Sequence, residues 1–74
     1  MDIRVDTAGQ VKVMVFNIAG EEVVKLLDQY ENAGNYRVTW DGKNRFGEMS
    51  GNAVYFVGIQ QPSGNMIKKV IVLK

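Results

Sequence analysis

Hydrophobic and polar residues alternate most clearly along residues 35–41. Tyr36, Val38 and Trp40 are separated from one another by single polar or charged residues. This period of two is typical of a β-strand with one buried face and one solvent-facing side. We therefore expect a strand here, with its three large side chains pointing inward.

Other short runs are rich in β-branched and aromatic residues, and the polar clusters between them contain most of the eight glycines. Short runs bounded by turn residues favour an antiparallel sandwich or barrel. The predicted strands are residues 3–5, 11–18, 23–27, 54–59 and 66–73. Residues 28–34 are predicted as a polar connection, and residues 60–65 as a hairpin turn. The pattern thus predicts an all-β fold, an antiparallel β-sandwich of about six to seven strands.

The phase of the alternation predicts which side chains meet in the core. We expect one buried cluster between two sheets: Val13, Val15, Tyr36, Val38, Trp40, Tyr55 and Val57. An exposed apolar patch is predicted on the opposite face, involving Met14, Phe16 or Phe56.

The chain has 74 residues and contains neither cysteine nor histidine. This length allows one small domain, residues 1–74, of modest stability. Without cysteine there is no disulfide or thiolate metal site, and without histidine the commonest general base and zinc ligand are missing. We expect a non-enzymatic domain without a cofactor.

Nine basic and eight acidic residues nearly cancel. A nucleic-acid-binding domain normally shows a basic excess, so we expect no nucleic-acid partner. No apolar run approaches the roughly 20 residues of a membrane-spanning helix, so we expect no membrane insertion. Met1 leads directly into a charged, alternating stretch without a secretion signal. The protein is then either cytosolic or a fragment of a larger protein with an added Met1, and we favour the fragment.

Three groups of acidic or amide residues suggest chemistry. Asp41, Asn44 and Glu48 could bind calcium, but their spacing differs from that of a calcium loop, and such residues are common in turns. Two carboxylate pairs could suggest glycosidase chemistry, but they fall in predicted surface turns. These pairs are Asp28 with Glu31 and Glu21 with Glu22. We favour turn and solvent-exposed roles, with no metal site and no catalytic residues.

Trp40 and the lysines near the end of the chain each allow two interpretations. Trp40 could stack on a sugar, but its alternation with Tyr36 and Val38 favours a place in the core. Lys68, Lys69 and Lys74 could recognise a partner, or could protect an edge strand from aggregation. The residues alone favour protection.

Five segments, taken in order, resemble one known family. They are residues 11–20, 23–27, 33–42 (with Trp–Asp–Gly at its end), 54–56 (Val–Tyr–Phe) and 68–74. The family comprises the Ig-like domain of the flagellar hook-capping protein and the related C-terminal sorting domains of type IX secretion cargo. Two departures are Ala53, where the family usually has glycine, and the absence of the usual Asn–Pro segment before Val11.

The resemblance implies an Ig-like sandwich that ends at the family's closing lysine, here Lys74. It implies a C-terminal module of a secreted or cell-surface bacterial protein, acting in secretion sorting or surface attachment. The partner would be the secretion machinery or an adjoining domain, and Lys68, Lys69 and Lys74 would be the recognition residues. Two alternatives are a flagellar hook-assembly domain and a carbohydrate-binding domain of a secreted hydrolase.

Overall fold

The protein is a small β-sandwich in which a two-stranded sheet packs on a four-stranded sheet, both antiparallel. A computed structural model describes residues 1–51 and 53–73, and within them there are six strands and no helix. The strands are β1 (Asp2–Val5), β2 (Gly9–Phe16), β3 (Glu22–Glu31), β4 (Gly34–Arg37), β5 (Ala53–Gln61) and β6 (Gly64–Val72). The predicted fold class is confirmed.

Strand order places two long hairpins side by side. β1 pairs with β4 in the small sheet, and the large sheet has the order β3-β2-β5-β6. β2 and β5 are therefore the inner strands of the large sheet, whereas β3 and β6 are its edges. The inner strands supply most of the fully buried side chains, because each is flanked on both sides and covered by the small sheet on one face.

The core lies between the two sheets and matches the predicted cluster. The buried side chains are those of Ile3, Val5, Val11, Val13, Val15, Val38, Tyr55, Val57 and Ile59. Five of the seven predicted side chains are therefore buried, and Tyr36 and Trp40 pack against them while half-buried.

Several predicted boundaries are wrong: β2, for example, ends at Phe16, not Ile18. Three further differences show why. β3 continues through residues 28–31, predicted as a connection, because its backbone pairing with β2 persists to Glu31 although the side chains turn polar. β4 ends at Arg37, although the backbone N–H of Val38 still donates to the carbonyl of Met1. The β5–β6 turn is shorter than predicted, because Gln61 already pairs with Gly64.

Two turns share the sequence Asn–x–x–Gly–Glu, at residues 17–21 and 44–48. In each, the asparagine Oδ1 accepts two backbone N–H groups and the asparagine backbone N–H donates to the glutamate carbonyl. Gly20 and Gly47 have φ of 85° and 79°, the left-handed conformation that closes a three-residue hairpin loop. Asn17 and Asn44 line the same shallow cleft, which shows that the two turns lie next to each other.

Candidate recognition strand and its surroundings

β6 forms one edge of the large sheet and pairs, within the described part of the chain, only with β5. The pairing runs without interruption from Ala53↔Val72 to Gln61↔Gly64. The backbone N–H and C=O groups that point away from β5 therefore form a free edge. An edge of this length can accept a further strand from another molecule.

The lysines of β6 lie on opposite faces of the sheet. Lys68 pairs across the strands with Val57, on the core side, whereas Lys69 pairs with Phe56, on the outer side. Both side chains are exposed, and neither forms an ion pair with any residue of the described ranges. Lys74, predicted to act with them, lies outside the described residues. The structure thus presents two separate positive charges, one on each face of the free edge.

Apolar side chains flank each lysine on its own face. On the outer face, Ile67 and Ile71 are 76% and 60% exposed and lie on either side of Lys69. On the core side, Met66 is 50% exposed and Val70 is half-buried, and they flank Lys68. Exposed large apolar residues grouped on one strand are more informative than the same residues scattered singly.

The predicted apolar patch is confirmed in part: Phe16 and Phe56 pair across β2 and β5 on the outer face but are half-buried rather than exposed. A shallow hollow there is lined by Phe16, Asn17, Ile18, Gly20, Phe56 and Ile67. The Phe16 ring covers Gly58 so closely that a Cβ at that position would lie 3.0 Å from it. Met14, the third residue named in the prediction, is buried and does not contribute to the exposed surface.

The loop that could have bound calcium uses its oxygens for turn formation. Asp41 Oδ1 accepts the backbone N–H of Lys43 at 3.0 Å. Asn44 Oδ1 accepts the backbone N–H groups of Phe46 and Glu48 at 2.9 and 3.0 Å. Across residues 1–51 and 53–73, no group of three or more acidic side chains is arranged to hold a metal. These contacts favour the turn interpretation of the loop.

The predicted carboxylate pairs are likewise engaged in local contacts. Asp28 accepts hydrogen bonds from Gln10 at 2.6 Å and Lys25 at 3.3 Å, which hold its pKa below the usual value of 3.8, Gln10 contributing most. Glu31 accepts from the side chain of Gln29, and Glu21 from that of Asn17. A general acid working near neutral pH needs a raised pKa, so the shift of Asp28 is in the opposite direction.

Trp40 is held at the rim of the core by two contacts. Its ring meets that of Tyr55 edge to face, and its Nε1–H donates to the carbonyl of Lys43 at 2.9 Å. A sugar-stacking tryptophan presents an open flat face, whereas Trp40 is half-buried against the core cluster. Trp40 also lines an open groove next to Val24 and Leu26. Its contacts with Tyr55 and the core favour the core interpretation.

Comparison of the chain with protein-family models, with curated proteins and with solved structures finds no match. The resemblance noted in the sequence therefore stays a prediction. Within the described residues, the structure has no helix of the length and apolar character needed to cross a lipid bilayer.

Proposed function

We propose that this chain is a non-enzymatic recognition module that binds a protein partner through β6. The observation that carries the proposal is the free edge of β6, with apolar and unpaired basic side chains on both of its faces. Addition of a strand at such an edge is a recurring mode of protein recognition. The biological setting we propose is sorting or surface attachment of an exported bacterial protein, on the basis of the sequence resemblance.

Edge protection is the competing interpretation of the same lysines. A charge on an edge strand discourages pairing between copies of a protein, and Lys68, on the core side of the sheet, fits that role. Edge protection gives no reason for Ile67 and Ile71 to be largely exposed beside Lys69. Recognition accounts for both features, because the apolar side chains supply contact area and the lysines supply selectivity.

The test uses a reporter protein carrying this chain at its C-terminus, produced in a bacterium with a type IX secretion system. The variant replaces Lys68, Lys69 and Lys74 by alanine. The matched control replaces the other three lysines of the chain, Lys12, Lys25 and Lys43, so that both variants have the same net charge. We expect the first variant to lose export and surface retention and the control to keep them.

Both variants are first checked for an unchanged melting transition. None of the replaced lysines in the described ranges is buried, so we expect little loss of stability. Normal export of the Lys68, Lys69 and Lys74 variant, in a folded state, would show that these lysines carry no sorting signal and would leave edge protection as their role.

A further inference from the structure

On each face of β6, one lysine lies between two apolar side chains. On the outer face, Lys69 stands between Ile67 and Ile71; on the core side, Lys68 stands between Met66 and Val70. Side chains directly opposite each other on paired strands interact most strongly, and opposite charges there are favourable. The residues of β6 therefore specify what an added strand should carry at each position.

We infer that the partner of β6 is an extended segment with two consecutive acidic residues flanked on each side by two apolar residues. This inference rests on the proposed function and names its partner. The two acidic residues lie opposite Lys68 and Lys69, one on each face, and the apolar residues lie opposite residues 66–67 and 70–71. The pattern reads the same in both directions, so parallel and antiparallel addition satisfy it equally.

The outer face adds to the apolar contact. Ile67 lies beside Gly58 and lines the same hollow as Phe16 and Phe56. An apolar side chain opposite Ile67 would extend this exposed surface across the edge of the sheet. The contact area would thus continue from the inner strands onto the added strand.

Charge argues against a second copy of β6 as the occupant. Antiparallel pairing of two β6 strands at full overlap places Lys68 opposite its own counterpart. Like charges directly opposite each other destabilise a strand pair. Neither lysine forms an ion pair with a residue of the described ranges, and Lys68 only shares an open cleft with Asp2 and Asp6, whose carboxylates already pair with Arg37 and Arg4.

The test is a fluorescence anisotropy titration of the intact chain with labelled synthetic peptides. The probe contains Val–Ile–Glu–Glu–Val–Ile between Gly–Ser ends, and the control peptides have Lys–Lys at the centre or the same residues in scrambled order. We expect saturable binding of the Glu–Glu peptide only, weakened by salt because the charges are exposed. Hydrogen exchange at β6 reports whether the peptide occupies that edge.

A charge exchange tests the assignment of the lysines. Lys68→Glu with Lys69→Glu should weaken binding of the Glu–Glu peptide by about tenfold or more, as expected for two exposed ion pairs turned into repulsions. The same variant should gain binding of the Lys–Lys peptide. Lys12→Glu with Lys43→Glu, the matched control, should keep the original preference.

Equal binding of all peptides, or no binding, would overturn the inference, and so would self-association of the chain in sedimentation. If the lysine-to-alanine variant loses export while no acidic peptide binds, recognition through β6 stands and this partner is wrong. If the acidic peptide binds with the expected charge preference while that variant is exported normally, the inference stands and the sorting role fails.

Discussion

The ring of Trp40 meets the ring of Tyr55 edge to face, with centroids 5.2 Å apart and planes inclined at 71°. Each residue also makes one hydrogen bond to the backbone of the segment between them: Trp40 Nε1–H to Lys43, and Tyr55 Oη–H to Gly51 at 2.9 Å. The aromatic pair thus attaches both ends of that connecting segment to the core.

Trp40→Ala should lower the free energy of unfolding by about 3 kcal/mol, the lower end of the range for such truncations because Trp40 is half-buried. Trp40→Phe, which keeps a ring against Tyr55 but loses the N–H donor, should cost clearly less. Urea denaturation followed by circular dichroism measures both variants. An alanine variant as stable as the parent chain would remove Trp40 from the core and restore a role at the surface.

Gly47→Ala should destabilise the protein by about 1 kcal/mol, because φ at Gly47 is 79° and an L-residue is disfavoured there. Gly51→Ala is the matched control: a Cβ meets nothing within 4 Å at either position, but only Gly47 has the left-handed conformation. Thermal melts of the two variants check this directly. Equal melting temperatures would show that the Asn–x–x–Gly–Glu turn does not need glycine.

Stability should not depend on calcium. Asp41 and Asn44 already use side-chain oxygens to accept backbone N–H groups, and a bound cation would have to displace those contacts. Thermal melts in millimolar calcium and in chelator should coincide. A rise of several degrees with calcium would make Asp41 and Glu48 ligand candidates and would contradict the turn interpretation.

Asp28 should make stability fall at low pH. Its pKa is lowered in the folded state, first by the hydrogen bond from Gln10 and then by Lys25. The stabilisation is therefore fully present above the usual pKa of 3.8 and is lost as the pH falls through the lower folded value. NMR titration should show the pKa of Asp28 rising in Gln10→Ala. An unchanged pKa in that variant would mean that the Gln10 hydrogen bond is not the main cause of the shift.

The core-facing side chains could be predicted from the sequence, because they follow a local period of two along each strand. Tyr55 and Val57 illustrate this: each is buried as its phase requires. The end of β3 could not be predicted this way, because residues 28–31 are held by backbone pairing with β2 and not by an apolar pattern. The two turns could have been predicted from the sequence, since Asn–x–x–Gly–Glu occurs twice in the chain.

The candidate site was predicted only in part. The strand and its lysines were evident, and adjacent residues on a strand must face opposite sides, so the separation of Lys68 from Lys69 follows from their numbering. The lysines suggested that this strand lies at an edge, but its edge position depends on the order β3-β2-β5-β6, which long-range pairing decides.

Amide hydrogen exchange along β6, with and without the Glu–Glu peptide, tests most directly whether this edge is the recognition surface. In the free protein, the amides of β6 that point away from β5 should exchange fast, since they have no strand partner within the described part of the chain. Adding the peptide should slow exchange at those amides and leave the opposite edge, β3, unchanged. Protection confined to β3 or to the loops, or no protection at saturating peptide, would contradict binding of the acidic segment at β6.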